Sequence, residues 1–350
     1  MPRTKLGEII ESFEIEEFSQ FFRLKAQAEG NFRPSEERFS QYDDADFLNF
    51  VKIGQVEFSG SQRLLVAGAK VLKDLSERSG KKAQYEKAKK MLRELSAYSA
   101  GIFIYYDKSG NFRFSLIYPE SVGTRREWSN FRRFTYFVSK ELTNKTFLQR
   151  IGDGDFSTLE KIKDAFSVEK VTKEFYLEYR KLFDSLMENL SKNHTFLNEA
   201  SKNRINTENF AKKLLGQIVF LYFVQKKGWI GVPSGKGWGE GDKNFMGNIY
   251  KEAMSKKANF YNDYLEKLFY NALNNPHRDS ADPSFSKDFG SRIPFLNGGL
   301  FEAEYDWKNS LMYLDNKIFH SIFDVFERYN FTIEEESPDD KEIAVDPEML

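Results

Sequence analysis

The chain has 350 residues, 40% of them hydrophobic and 30% charged, with 35 Phe, no cysteine and a formal net charge of −1. Its length predicts two or three domains. The missing thiols exclude disulfides, zinc ribbons and thiol nucleophiles, no apolar run reaches the ~18 residues of a membrane span, and the start MPRTKLGEII lacks a signal-peptide core, so a cytoplasmic location is expected.

Residues 8–29 read as one or two helices with Phe13, Phe18, Phe21, Phe22 and Leu24 inward, and 31–44 as a polar loop. Residues 47–58 (FLNFVKIGQVEF) and 62–72 (QRLLVAGAKVL) have strand chemistry, and Gly60-Ser61 between them suggests a hairpin. A helix follows at 81–98, with Tyr85, Ala88, Leu92 and Leu95 inward and Lys82, Lys87, Lys89, Lys90 and Arg93 around the rest. Strands are expected at 101–106 (GIFIYY) and 112–118 (FRFSLIY), joined by the turn Asp107-Lys108-Ser109-Gly110. Residues 123–133 (GTRREWSNFRR) read as a basic loop with interleaved aromatics.

The near-neutral total hides a pattern. Residues 1–60 carry 7 Lys/Arg against 12 Asp/Glu, whereas residues 61–150 carry 19 against 8. The basic block reads either as a footprint for a polyanion or as a solvated surface with dispersed charges. In the same way, Arg125, Arg126, Arg132 and Arg133 can grip phosphates while Trp128 or Phe131 stacks or wedges. Alternatively, the rings pack inward and the arginines pair with Glu120 and Glu127.

The polar stretch 152–158 (GDGDFST) marks the expected domain boundary, and beyond it the reading is mostly helical. Helices are expected at 159–166 and at 172–194, with Phe175, Tyr179, Leu182, Leu186 and Leu190 inward. In 206–231, Phe210, Leu214, Ile218 and Leu221 share one face and Leu215, Val219 and Tyr222 the next, an apolar stripe wide enough to be covered on most sides. Asn206 is its N-cap and Gly228 its C-terminal stop. Residues 231–247 (GVPSGKGWGEGDKNFMG) fit neither the phosphate-loop spacing nor the dinucleotide fingerprint and read as a loop, over a partner surface. Residues 250–273 read as a helix, 275–292 as a polar connection, 293–302 as a packed turn and 317–329 as a last helix. An acidic segment, 334–350, reads as a linker. His194, His277 and His320 show no metal-ligand or triad spacing.

Several phrases carry a family resemblance: AKKLLGQIVFLYFVQKKGWIG (211–231), RREWSNFRRFTYFVS (125–139), TNKTFLQRI (143–151), SVEKVTKEFYLEY (167–179), IPFLNGGLFE (293–302) and VDPEML (345–350). In this order they resemble type IIG-like restriction–modification enzymes, which fuse an endonuclease-like region, a helical connector and an adenine-specific DNA methyltransferase. The resemblance implies an α+β architecture: a small α/β PD-(D/E)xK-nuclease-like domain over 1–151, a mostly α-helical connector over 152–333, and the acidic linker toward a methyltransferase domain absent from this chain. It implies double-stranded DNA and a methyltransferase, in cis or in trans, as partners. S-adenosylmethionine would belong to that other domain, since neither its glycine-rich loop nor the Asn/Asp-Pro-Pro-aromatic motif stands here.

A nuclease of this kind needs a strand acid, then an acid two residues before a lysine on the next strand, to hold Mg2+ and orient water. Lys70 takes the lysine position, Glu57 is the first acid and metal-ligand candidate, with Asp44 and Asp46 as alternatives, and Gln84 is a candidate on the following helix. Gly68, flanked by Ala67 and Ala69, stands where the second acid belongs, so the catalytic site reads as degenerate. Lys82, Lys89, Arg125, Arg126, Arg132 and Arg133 are the DNA-contact candidates.

Overall fold

The computed structural model describes residues 1–26, 31–76, 80–122, 125–275, 282–296, 298–331, 340–342 and 344–345, and for 120–122, 125–129 and 340–342 the backbone only. The chain is α+β. Two helices, α1 (Pro2–Glu11) and α2 (Glu17–Lys25), precede β1 (Phe32–Pro34), β2 (Phe47–Glu57) and β3 (Arg63–Val71). Helix α3 (Lys81–Glu94) crosses to β4 (Ala100–Tyr106), and β5 (Phe112–Val122) and β6 (Arg125–Val138) follow as a hairpin. With β9 (Asp340–Glu342) these strands form one sheet in the order β1-β2-β3-β4-β5-β6-β9. Neighbours are antiparallel except β3–β4, as a helical crossover requires, and β6–β9.

Strand parity assigns two faces. Leu64, Val66, Ile102, Ile104, Phe114, Leu116 and Tyr136 point to one, where Phe18, Phe21 and Phe22 of α2 close over them. Leu65, Ala67, Ala69, Phe103 and Tyr105 point to the other, against Ala88, Met91 and Leu92 of α3. Each large apolar side chain buried this way stabilises the fold by ~1.5–3 kcal/mol. Strand β3 is therefore covered on both sides and reads as a continuous apolar run, which fits a strand with a parallel neighbour. On the α2 face, Gly68 is met by Ile15, and a Cβ there would lie 2.6 Å from the Ile15 Cδ1.

Two expectations change here. The inward position near the start of α3 belongs to Gln84, which is buried, while Tyr85 is half-buried. The expected basic loop is instead strand: β6 pairs with β5 from Val122↔Arg125 to Phe112↔Val138. Over residues 135–138 both faces of β6 are buried, and before that Arg133 is buried while Arg132 is exposed, so the polar–apolar alternation that flags a strand is broken and its arginines read as loop.

The stretch 152–158 is packed into this frame. A short turn, α4 (Lys145–Phe147), runs into a π-helical turn, Leu148–Asp153, that lies on α1. Lys25 of α2 donates to the carbonyls of Gly152 and Gly154, both at 2.6 Å, and Arg3 pairs with Asp153 at 2.7 Å. Burial draws the Lys25 ammonium down to about 8, with Asp153 and Asp155 opposing. Thr158 caps α5 (Leu159–Ala165) by accepting from the Lys161 N–H. One hydrophobic core runs from the α2 face through Phe147, Ile151 and Phe166 into Phe175 and the helices beyond.

Those helices are α6 (Val168–Lys192), α7 (His194–Lys202), α8 (Thr207–Lys226), α9 (Phe245–Ser255) and α10 (Asn316–Phe326), with a small hairpin of β7 (Phe285–Ser286) and β8 (Ser291–Arg292). Helix α8 is central, with Asn206 as its N-cap accepting from Asn209 at 2.9 Å and Phe210, Leu214, Leu215, Ile218, Leu221 and Tyr222 all buried. The single helix expected over 250–273 is broken. Helix α9 ends near Lys257, whose φ of 55° is left-handed, and the chain resumes as π-helical turns Tyr261–Leu265 and Lys267–Leu273. No helix among the described residues is long and apolar enough to cross a membrane.

The π-helical segment turns Glu266 inward. Its carboxylate accepts from the Tyr305 hydroxyl and from Asn262 Nδ2 at 3.0 Å, and Tyr305 meets Tyr261 at 2.9 Å. Burial raises the Glu266 carboxyl to about 7, against the pull of Tyr305 and Asn262, with Asp263 adding to the rise. The folded chain then keeps a proton that the unfolded chain has lost, so this stability is full below about pH 4.5 and is lost as pH rises through about 7. Glu266→Gln removes the titration. Between pH 5 and 8 the wild type should lose ~2–3 kcal/mol relative to the variant, read from paired thermal or urea unfolding; parallel pH profiles would show that Glu266 does not titrate there.

Candidate nucleic-acid interface

The candidate catalytic residues are not brought together. Glu57 pairs with Arg63 at the start of β3, and Lys70 pairs with Leu48 at its end. Seven residues of strand separate them, about 23 Å at ~3.3 Å per residue. Glu57 accepts from Gln55 Nε2 at 2.8 Å and lies 3.7 Å from Arg33. Gln84 sits on the opposite face of the sheet from Lys70. Its Oε1 accepts from Arg113 at 3.1 Å and its carbonyl accepts from the Tyr105 hydroxyl at 3.0 Å. Gln84 is thus a buried strut, and the trio of Glu57, Lys70 and Gln84 is corrected on geometry.

Just before β2, the Asp46 carbonyl accepts from the Leu72 N–H at 3.2 Å and its carboxylate lies 3.8 Å from Lys73. Asp44 is a structural turn residue: it accepts from the N–H groups of Asp46 and Phe47 at 2.8 and 3.0 Å and pairs with Lys87. Among the described residues no group of three or more His, Asp or Glu side chains converges as a metal cage. Glu57 stands apart from Asp44 and Asp46 beside an arginine, so the residues do not fit the Mg2+ role assigned to it. The position of the absent acid, Gly68, is filled by Ile15.

The arginines of β6 divide. Arg133 is 1% exposed, donates to the Lys81 carbonyl at 2.7 Å and lies 5.4 Å from the Tyr85 ring centroid. Arg132 is exposed and, by strand parity, faces the other side of the sheet. Arg133 is therefore corrected from a phosphate contact to a buried support of α3. Phe131 is corrected likewise, since it is buried in the α3 face, with Tyr85 donating to its carbonyl at 2.6 Å and Arg93 5.6 Å above its ring. Arg125 and Arg126 lie in the hairpin opposite Val122 and Ser121, and their side chains, with Trp128, fall outside what is described.

What remains exposed is the outer side of α3. Lys82, Lys90 and Arg93 are exposed there, and half-buried Lys89 continues the same stripe at helical spacing. Lys90 is exposed and makes a long intrahelical pair with Glu94 at 3.9 Å, which contributes little, whereas Lys89 is largely covered, 3.7 Å from Glu86 and 5.4 Å from the Tyr85 ring centroid. Beneath the N-terminal half of the helix lie two buried guanidiniums, Arg113 and Arg133, which add to the positive end of its dipole. Elsewhere the basic block is partly neutralised, with Lys87 held by Asp44, Lys108 by Asp74 and Arg150 by Glu174. Lys90, Arg93 and Arg113 were not singled out as contact candidates in the sequence. The repeat of cations along α3 would have flagged Lys90 and Arg93; nothing local flags Arg113.

No family model matches the chain, and no solved structure matches it. A curated protein does: a putative type II restriction enzyme and methyltransferase from Methanocaldococcus jannaschii is 25% identical over 204 residues, 52% of this chain and 16% of that protein. The matched segment is therefore a small part of that relative. At this level the chain is related to a restriction–modification protein.

Proposed function

We propose that the chain is a DNA-binding, non-cleaving part of a restriction–modification system. In this reading the outer stripe of α3 lies along the phosphate backbone of duplex DNA, and the helical part mounts an adenine-specific methyltransferase, in cis or in trans, which would bring its own S-adenosylmethionine. The system would act in the cytoplasm. The single observation that carries the DNA half is the α3 stripe of Lys82, Lys89, Lys90 and Arg93 over two buried arginines, in a chain similar to a restriction–modification protein.

We read the β2–β3–α3–β4 unit as a PD-(D/E)xK-like core that has lost its reaction. Its hairpin, crossover helix and parallel β3–β4 pair are the order expected of such a core. Glu57 and Lys70 sit at opposite ends of β3, and Ile15 occupies the space at Gly68. The competing reading, an active Mg2+-dependent endonuclease, would require a carboxylate pair at Lys70 that the described residues do not form. A protein scaffold without a DNA role is the other competitor.

Reversing charge at Lys82, Lys89 and Lys90 together should weaken retention of a duplex by about tenfold or more at low salt. It should also reduce the slope of log affinity against log salt by about 2–3, since each phosphate contact contributes ~0.9. Unaltered retention would favour the scaffold. In a plasmid-nicking assay with Mg2+ or Mn2+ the chain should leave supercoiled DNA intact, and cutting that disappears in Lys70→Ala would overturn the degenerate-site reading. Gly68→Ala should cost ~1–3 kcal/mol of stability through its clash with Ile15, and Ile15→Ala in the same chain should remove most of that added cost; additive effects would mean the two residues do not meet.

A further inference from the structure

The glycine-rich loop after α8 has no part in the reading above, yet it is closed by backbone hydrogen bonds between its own two arms. The Gly228 carbonyl accepts from the N–H groups of both Gly239 and Gly241, each at 2.9 Å. Gly228 has a φ of 65°, and a Cβ there would stand 2.3 Å from the Gly239 carbonyl oxygen. Only glycine allows the two arms to touch. Trp229 follows Gly228 and Trp238 precedes Gly239, so the backbone contact between the two glycines sets the two tryptophans on adjoining arms of one loop. They are 43% and 45% exposed.

Each indole has a cation on one face. Lys227 Nζ is 4.7 Å from the Trp229 centroid and the Arg292 guanidinium is 4.5 Å from that of Trp238. Arg292 also donates to the Lys236 carbonyl at 2.7 Å and to Ser284 Oγ at 2.9 Å, and pairs with Asp282 at 2.9 Å, so the loop is held rigid before any partner arrives. The nearby acids are engaged internally. Glu240 accepts from the Gly237 N–H at 2.9 Å and pairs with Lys236, which keeps its carboxyl below the usual range. Asp242 accepts from the Asn244 N–H and from Asn248, both at 2.8 Å. Among the described residues Lys227 has no anionic partner.

A rigid pair of half-exposed aromatic faces beside uncompensated positive charge is what unpaired bases and their phosphates use. We propose that Trp229 and Trp238 form a stacking platform for a single strand of nucleic acid, with Lys227 beside the backbone phosphates. This site is separate from the duplex contact on α3.

The test is the intrinsic fluorescence of the whole chain titrated with an oligo-dT of about twenty nucleotides at low salt, beside a blunt duplex. Of the four tryptophans, Trp128, Trp229, Trp238 and Trp307, the Trp229→Phe and Trp238→Phe variants identify the reporting indoles. Oligo-dT should quench both, Trp229→Ala or Trp238→Ala should each weaken its binding about 5- to 100-fold, and Lys227→Glu should weaken it while leaving the unfolding midpoint within a degree or two. No quenching, or binding unchanged in all three variants, overturns the proposal. So does shielding of both indoles that appears only as protein concentration rises, which would assign the platform to a protein partner. A chain retained on duplex but not quenched by oligo-dT loses this site alone; one quenched by oligo-dT but not retained on duplex loses only the α3 contact.

Discussion

Ile15 seated on Gly68 is the contact on which the front half of the molecule depends. It lets the linker between α1 and α2 lie flat on β3, so that the middle strand is covered by aromatic side chains on one face and by α3 on the other. A carboxylate at position 68 would have to displace Ile15 and would lie buried without a partner, an arrangement that costs several kcal/mol. The same packing that stabilises the sheet therefore closes the face on which a metal-dependent site would have to open. Among the described residues of the basic block, exposed cations are left on the outside of α3.

The two parts of the chain are joined by more than a linker. Lys25 and Arg3 of the leading helices hold the turn after β6, and Thr143 and Thr146 donate to the carbonyls of Glu327 and Arg328 just beyond α10 at 2.6 and 2.8 Å. Apolar side chains continue across the same boundary.

Charged groups in this fold are of two kinds. Arg113 and Arg133 are buried, and each has hydrogen-bond partners that offset lost water. Lys90 of α3 and the helix-surface pairs such as Lys173–Glu169 and Lys212–Glu208 are exposed and weakly coupled. Counting charge along the chain mixes the two, and the basic excess of residues 61–150 overstates the positive surface for that reason.

Local pattern was enough to place β2, β3, α3, β4 and β5 in order, to set the caps of α8 and to exclude thiol chemistry, because strand and helix periods are properties of neighbouring residues. The gap at Gly68 was equally legible. The sequence did not show that β6 is a strand, since a buried Arg133 and a run of buried residues over 135–138 break its alternation, nor that the helix after α9 is π-wound around Glu266. It also could not tell Arg132 from Arg133, or show that Glu57 and Lys70 lie at opposite ends of β3. Those depend on register, which a one-residue change reverses, and on which distant element covers a face, and both are settled only when the whole sheet and its helices pack together.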